Sequence, residues 1–209
     1  RLRTVTGVQT CALPIWTVFF GDTGANVYAL DAETGKELWQ RQVDPHPYAR
    51  VTGSPTYFQG KLYVPVSSLE ETAAGQQGYE CCTFRGSLAS LDASTGSVVW
   101  KTYTIGERQP RGKNAAGTPQ WGPAGGGIWS APTIDVKRNV IYAATGNTYS
   151  GLESAPGSDA VVAFDLKTGN LLWTKQLHPD DIFGCRNNEP NCRSSQGPDF
   201  DFGASPAMV

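Results

Sequence analysis

Seven residues at the ends of predicted strands have side chains suited to binding a metal ion and a planar ligand: Glu70, Glu71, Arg85, Trp129, Asn147, Asp199 and Asp201. Carboxylate oxygens and an amide oxygen are the hard ligands that Ca²⁺ prefers. A flat indole ring and a guanidinium group suit a planar, anionic molecule. Taken singly, these residue types are also typical of turns, solvated surfaces or cores. Their occurrence on one predicted face favours a binding site.

The adjacent cysteines Cys81 and Cys82 allow two interpretations. Consecutive Cα atoms lie about 3.8 Å apart, closer than the roughly 4.4–6.8 Å of ordinary disulfides. A bond between them would therefore close a strained ring of the kind retained at functional sites. Two reduced thiols on a loop explain the dipeptide equally well. Cys11 lies within residues 1–15, which fit none of the patterns in the rest of the chain. The other four cysteines, Cys81, Cys82, Cys185 and Cys192, are even in number, which fits two disulfides and an oxidising compartment. The spacing is poor for a zinc site.

The composition is typical of short strands joined by turns. The 209 residues include 24 Gly, 14 Pro and 6 Trp, and 39% are hydrophobic. A net charge of −2 with 17% charged residues gives no indication of binding to nucleic acid or to an anionic membrane. The longest apolar run, around IWTVFF, is far too short to span a bilayer. Residues 1–15 fit none of the patterns that follow, and we interpret them as an artefact of sequence assembly.

One pattern occurs three times in the chain. The segments are NVYALDAETGKELW (26–39), SLASLDASTGSVVW (87–100) and AVVAFDLKTGNLLW (160–173). Each contains Asp, two residues, Thr-Gly, three residues and Trp. The pattern predicts a strand, a tight turn with Gly at positive φ, and a second strand that carries the Trp. One large aromatic residue per repeat suits the docking of one unit onto the next.

Other strand–turn–strand segments precede these repeats or end the chain: VTGSPTYFQGKLYVPVSS, IWSAPTIDVKRNVIYAATGN and FGASPAMV. Four strands and one Trp per unit indicate the blades of a β-propeller. We therefore predict an all-β fold in which residues 16–209 form part of a propeller. This part holds the end of one blade, two full blades (about 50–104 and 128–177) and the start of another.

Long insertions mark the predicted binding face. The turns inside the hairpins are short, whereas the longer connections all emerge on the opposite side: 68–86, 105–127, 148–159 and 178–202. Binding residues are commonly carried by such loops on a rigid scaffold. Neither His46 nor His178 has a partner that spacing identifies, and both are expected on the surface.

The sequence resembles the quinoprotein alcohol dehydrogenases, propellers that bind pyrroloquinoline quinone (PQQ) and Ca²⁺. The Trp repeats match the blade motif of that family. Four longer segments are similar to its polyvinyl-alcohol dehydrogenase group: CCTFRGSLASLD, WGPAGGGIWSAPTID, TGNTYS and DFDFGASP. The resemblance covers residues 16–209 and implies eight four-stranded antiparallel blades when the propeller is complete.

The resemblance also implies roles for individual residues. The implied metal ligands are Glu70, Asn147 and Asp201, and Asp201 is also the implied catalytic base. The implied cofactor-binding residues are Thr52, Ser67, Ser68, Cys81, Cys82, Arg85 and Trp129. In the family a vicinal disulfide stacks on the quinone opposite the tryptophan. Here the cysteine pair follows Glu70 within one blade, whereas methanol-oxidising members carry it one blade earlier.

The function implied by the resemblance is the PQQ- and Ca²⁺-dependent oxidation of secondary alcohols, polymeric ones included. Electrons would pass to cytochrome c, and the protein would be periplasmic or secreted. The chain as it stands is expected to be inactive, because it holds only some of the blades. The alternative is a non-catalytic periplasmic propeller that binds or assembles other proteins. Such a protein should lack the combination of cysteine pair, Trp–Asn spacing and acidic strand end.

Overall fold

The computed structural model describes residues 16–151, 153–182 and 197–209. The predictions for residues 1–15 and for the pair Cys185 and Cys192 lie outside these ranges. The fold class is confirmed, because the regular secondary structure of the described residues is antiparallel β-sheet apart from one short helix. No helix within those ranges is long and apolar enough to cross a membrane.

The first sheet has three strands in sequence order. They are β1 (Thr17–Gly21), β2 (Asn26–Asp31) and β3 (Glu37–Gln42). Strands β2 and β3 form the hairpin predicted from the first Trp repeat.

The second sheet covers the first of the two predicted full blades. Its strands are β4 (Ala49–Arg50), β5 (Thr56–Phe58), β6 (Lys61–Ser68), β7 (Ser87–Asp92) and β8 (Val98–Tyr103). The order is β4-β6-β7-β8, and β5 also pairs with β6. A short helix that the sequence analysis did not predict, α1 (Glu70–Ala74), follows β6 directly.

The predicted loop 105–127 contains a two-stranded hairpin. Strands β9 (Gln109–Lys113) and β10 (Pro119–Gly122) pair with each other. The hairpin also contacts the cysteine pair, because the N–H of Trp121 donates to the carbonyl of Cys81 at 2.7 Å.

The third large sheet has four strands in sequence order. They are β11 (Thr133–Asp135), β12 (Val140–Ala144), β13 (Ala160–Asp165) and β14 (Leu171–Gln176). This sheet lies within the second predicted full blade, and strands β13 and β14 form the hairpin of the third Trp repeat.

The central strands are buried on both faces. Seven of the eight residues of β6 and five of the six residues of β7 are buried. Two apolar clusters fill the space on either side of this sheet, one around Leu62 and Phe84 and the other around Leu88 and Phe164. Burial on both faces is expected for a sheet packed between two others.

The three repeat turns share one geometry, which an Asp side chain stabilises in each. Oδ1 of Asp31 accepts hydrogen bonds from the backbone N–H and the hydroxyl of Thr34, both at 2.8 Å. Asp92 and Asp165 bind the corresponding Thr in the same way. The glycines that follow have φ values of +69°, +68° and +72°, as predicted for these positions.

Each of two tryptophans packs on the turn glycine of the next sheet. A Cβ atom built on Gly96 would lie 2.6 Å from the ring of Trp39, so only glycine permits this approach. The ring of Trp39 also donates its N–H to the carbonyl of Ala93 at 3.1 Å. Trp100 packs on Gly169 in the same manner. The predicted role of the repeated Trp in docking adjacent sheets is confirmed for these two residues.

Two matched substitutions separate the contribution of the Trp39 contact to stability from that of the positive φ in the turn. Gly35→Ala places a Cβ at the same positive φ with no other described atom within 4 Å, and should cost about 1–2 kcal/mol. Gly96→Ala adds overlap with Trp39, and should cost a further ~1–3 kcal/mol. Urea denaturation of the two variants measures the difference. Equal losses of stability would show that the contact with Trp39 contributes nothing.

Candidate functional site

Three of the predicted cofactor-binding residues meet where the second and third sheets adjoin. The hydroxyls of Thr52 and Ser67 lie 3.0 Å apart. The Thr52 hydroxyl also donates to the backbone carbonyl of Trp129 at 3.3 Å. The Trp129 ring N–H is buried and has no hydrogen-bond partner among the described residues. An unpaired buried N–H is costly, so it is a feature to be explained.

Asn147 and Asp201 lie beside the same tryptophan. The carboxylate Oδ1 of Asp201 accepts a hydrogen bond from the backbone N–H of Asn147 at 2.7 Å. A Cβ atom on Gly146 would overlap both this oxygen and Nε1 of Trp129. Gly146 therefore allows Trp129 and Asp201 to approach the backbone from one side. We call Thr52, Ser67, Trp129, Asn147 and Asp201 the tryptophan group.

Two further carboxylates face the Asn147 side chain. Its Nδ2 atom lies 3.5 Å from Oε1 of Glu71 and 3.5 Å from Oδ1 of Asp199. Burial raises the pKa of the neighbouring Tyr149 phenol well above its usual value, and the charges of Glu71 and Asp201 raise it further. Glu71 and Asp199 belong to the binding face predicted from the sequence, but the family resemblance implies no role for either.

The predicted metal ligand Glu70 points elsewhere. Its side chain is fully buried, and its carboxylate accepts hydrogen bonds from the N–H groups of Thr83 and Phe84, both at 2.7 Å. The Tyr79 hydroxyl donates to it at 2.8 Å. Burial alone would raise the pKa of Glu70, but His46 and these backbone donors outweigh burial and hold the pKa below its usual value.

The expectation that His46 is a surface residue is wrong. Its side chain is only 14% exposed, and Nε2 lies 3.4 Å from Oε1 of Glu70. The same nitrogen lies 3.0 Å from the Thr83 hydroxyl. Nδ1 accepts the N–H of Tyr48 at 3.2 Å, so in the neutral ring the proton is on Nε2, facing Glu70 and Thr83. These partners are too distant in sequence for a spacing pattern to reveal them.

His178 also differs from its expectation, since it is half-buried. Its ring packs against Phe200 and Phe202, with centroids 5.0 and 5.7 Å away. This contact belongs to the segment that carries Asp199 and Asp201.

Cys81 and Cys82 form the vicinal disulfide. Both residues are buried, with 2% and 0% of their surface exposed, and their sulfurs lie against the carbonyl oxygen of Tyr149. The disulfide packs in the apolar cluster that contains Phe84. Contact between this disulfide and a cofactor stays a prediction.

Arg85 follows the disulfide by three positions in the chain. Its guanidinium donates to the carbonyl of Ile105 at 3.0 Å and lies 3.9 Å from the ring centroid of Tyr103. Together with His46 and Arg108 it lines a cleft of about 480 Å³. We call Glu70, Cys81, Cys82 and Arg85 the cysteine group.

The residues predicted as one site thus fall into two neighbouring groups. Ser68 contacts the cysteine group, because its hydroxyl accepts the N–H of Glu70 at 2.9 Å. The division arises at helix α1, where consecutive residues point about 100° apart. Glu70 turns toward the cysteine group and Glu71 toward Asn147. In the described ranges no three Asp, Glu, His or Cys side chains form a compact metal-binding cluster.

Comparisons with known proteins identify the family. Residues 48–190 match the model of the PQQ glucose/ethanol/alcohol dehydrogenase beta-propeller domain. The polyvinylalcohol dehydrogenase of a Pseudomonas species is 48% identical over 196 residues, which cover 92% of this chain and 30% of that protein. The polyvinylalcohol dehydrogenase of Sphingopyxis sp. strain 113P3 is 47% identical, with 90% and 30% covered.

A solved structure shows the same fold. The crystal structure of quinohemoprotein alcohol dehydrogenase from Comamonas testosteroni superposes with a TM-score of 0.57 at 26% identity, covering 78% of this chain and 26% of that one. The chain spans about 30% of the length of the polyvinylalcohol dehydrogenases that it matches. With the antiparallel sheets described above, these matches confirm the predicted β-propeller fold, and the chain belongs to the PQQ-dependent glucose/ethanol/alcohol dehydrogenase family.

Proposed function

We propose that this chain is part of a PQQ- and Ca²⁺-dependent dehydrogenase that oxidises alcohols to carbonyl compounds. The observation that carries the proposal is the position of the Asp201 carboxylate, which the Asn147 N–H holds beside Trp129. A carboxylate next to a flat aromatic ring can take a proton from a substrate that lies against a stacked cofactor.

The tryptophan group fits a planar quinone. The indole ring of Trp129 offers a flat apolar surface, and its buried N–H has no partner in the described part of the chain. The hydroxyls of Thr52 and Ser67 lie next to each other, near the backbone of Trp129, and can donate to carboxylates of an anionic cofactor. The Arg85 guanidinium donates to Ile105 and lies over the ring of Tyr103, so it would have to leave these contacts to reach the cofactor.

The oxygen donors around Asn147 fit Ca²⁺. The amide of Asn147 and the carboxylates of Asp199 and Asp201 are hard ligands of the type this ion requires. When bound, the quinone supplies a hydride acceptor and the cation polarises one of its carbonyl groups. The side chains of this protein position the alcohol, exclude water and accept its hydroxyl proton.

The surroundings of Asp201 suit a general base. Partial burial raises its pKa, the N–H of Asn147 opposes this, and the charges of Asp199 and Asp181 raise it further. A carboxylate whose pKa is shifted toward the working pH accepts a proton more readily than an ordinary one. Oδ1 of Asp201 is the atom already fixed by Asn147, which leaves Oδ2 to meet the substrate.

Secondary alcohols, polymeric ones included, are the proposed substrates, and two of the relatives are polyvinylalcohol dehydrogenases. We propose cytochrome c as the electron acceptor. The vicinal disulfide supports a periplasmic or secreted location, because disulfides persist in oxidising compartments.

Asp201→Asn in the complete gene product tests the proposal. Reduction of an artificial dye by secondary alcohols should fall by at least about 100-fold, because the proton acceptor is lost. The quinone absorbance retained after removal of free PQQ should be unchanged. Asp180→Asn, the same change at an exposed aspartate, serves as the control. Full activity in Asp201→Asn would remove this residue from the mechanism, and absence of PQQ binding in the unaltered protein would overturn the proposed function.

Asp159 is a second perturbed carboxyl group near Asp201. It is fully buried, and neither of its carboxyl oxygens has a hydrogen-bond partner in the described ranges. Its backbone N–H donates to the carbonyl of Gly146, the residue before Asn147 of the tryptophan group. Burial, followed by the charges of Asp181 and Asp201, raises its pKa to about 8.

Asp159 should therefore make the stability of the protein depend on pH. Between its unfolded pKa near 4 and its folded pKa near 8 the folded state binds more protons, so stability falls as the pH rises through this range. Asp159→Asn removes the ionisation, and its melting temperature relative to the unaltered protein should increase from pH 5 to pH 8. A difference that does not change with pH would contradict the assignment. Asp180→Asn, which removes one exposed carboxylate, provides the control.

A further inference from the structure

Two Trp–Gly joints connect the first, second and third sheets, but Trp173 of the third repeat and Gly35 of the first take part in no such joint among the described residues. We propose that this chain of 209 residues associates head to tail with a second copy of itself, so that Trp173 of one copy packs on Gly35 of the other. The inference concerns self-association and does not rest on the proposed function.

Trp173 has the same position in its repeat as Trp39 and Trp100, and it pairs across its hairpin in the same way. Its ring lies against Tyr142 of its own sheet, with the ring centroids 5.8 Å apart. Trp39 and Trp100 are partly buried where they pack on the next sheet, whereas 46% of the surface of Trp173 is exposed. Removing this indole surface from water would favour association.

Gly35 offers a site into which such a ring fits. Its φ of +69° matches the +68° of Gly96 and the +72° of Gly169, so the three turns have the same backbone shape. A Cβ built on Gly96 or Gly169 would lie 2.6 or 2.4 Å from a tryptophan ring, whereas one built on Gly35 would meet no described atom within 4 Å. Gly96 and Gly169 are buried, and Gly35 is exposed. The space that a tryptophan fills at two turns is therefore open at Gly35.

The sheet face beside Gly35 is also apolar and open. Strand pairing gives Val18 of β1 the same register as Leu62 of β6 and Ile141 of β12, each one position after the residue opposite the repeat Asp. Leu62 and Ile141 are fully buried in the clusters between the sheets, whereas Val18 is 49% exposed and Phe20 is 40% exposed. The first sheet thus presents to solvent the face that, in the other two sheets, receives a sheet carrying a tryptophan. An exposed apolar face of this kind is typical of an interaction surface.

The hydrogen bonds of the existing joints have a counterpart beside Trp173. Two positions after the tryptophan, the side chains of Arg41 and Thr102 donate to the carbonyls of the turn glycines in the next sheet. Lys175 stands at that position in the third repeat and is exposed. Its ammonium group can therefore donate to the carbonyl of Gly35 in a second copy.

A second copy is the proposed occupant because one chain carries both halves of the joint. The two faces differ, so the contact is heterologous, and a pair of chains still has one open tryptophan face and one open glycine face. Association should therefore continue beyond pairs as the protein concentration rises.

Sedimentation velocity of the purified chain at increasing concentrations tests the inference. Trp173→Ala and Gly35→Ala should each weaken self-association by at least about tenfold, because a few residues, often tryptophans, carry most of the energy of an interface. Val99→Ala shortens an equally exposed apolar side chain on the second sheet and serves as the matched control, which should associate like the unaltered chain. Circular dichroism checks that each variant is folded.

A mixture of the two variants tests the head-to-tail geometry directly. Neither variant alone keeps both halves of the joint, but Trp173 of the Gly35→Ala chain can still pack on Gly35 of the Trp173→Ala chain. An equimolar mixture should therefore form dimers and nothing larger. An unaltered chain that stays monomeric at every concentration, unchanged association in Trp173→Ala, or a mixture without dimers would overturn the inference. If Gly35→Ala does not fold, Trp173→Ala and Val99→Ala still decide the matter, because equal association in both would contradict the proposed contact.

Discussion

The packing of a tryptophan ring on the turn glycine of the next sheet is the contact on which the arrangement of the sheets depends. The two joints, Trp39 on Gly96 and Trp100 on Gly169, are reinforced through the same glycines. The side chain of Arg41 donates to the carbonyl of Gly96 at 3.0 Å, and that of Thr102 donates to the carbonyl of Gly169 at 2.7 Å. Each turn glycine thus accepts a ring on one side and a hydrogen bond from the same neighbouring strand. The functional side chains lie at the ends of strands in adjacent sheets, so their spacing follows from these joints.

A single buried carboxylate, that of Glu70, links the chain segments around helix α1. Glu70 joins helix α1 to the segment that contains Thr83 and Phe84, and His46 extends this network to the connection between β3 and β4. The β9–β10 hairpin covers the disulfide from the other side through Trp121. The cysteine group is therefore held by buried polar contacts, whereas the tryptophan group presents its donors and acceptors toward the space beside Trp129. This difference explains how one short helix can separate a structural glutamate from one that faces Asn147.

The sequence predicts those features that depend on local patterns. The Asp–Thr–Gly turns, the strands beside them and the Trp contacts follow from short motifs with one physical solution, and the structure shows them at Asp92, Gly96 and Trp39. The proximity of Trp129, Asn147 and Asp201 follows from resemblance and not from any local rule. The roles of Glu70 and His46 could not be predicted, because their partners come from distant segments. Likewise, Pro110 and Gly112 make β9 an unusual strand sequence, which hid the hairpin.

The long sequence separation within the tryptophan group has a consequence for the order of folding. Asn147 meets Asp201 across 54 positions and Glu71 across 76, and Thr52 meets Trp129 across 77. The strands within each sheet, in contrast, are mostly neighbours along the chain. Because closing long loops is entropically costly and slows the formation of distant contacts, the hairpins should form first and the site should assemble only after the sheets dock. Partly folded chains would then contain ordinary β-structure but no binding site, so cofactor binding would report on completed docking more faithfully than the content of β-sheet.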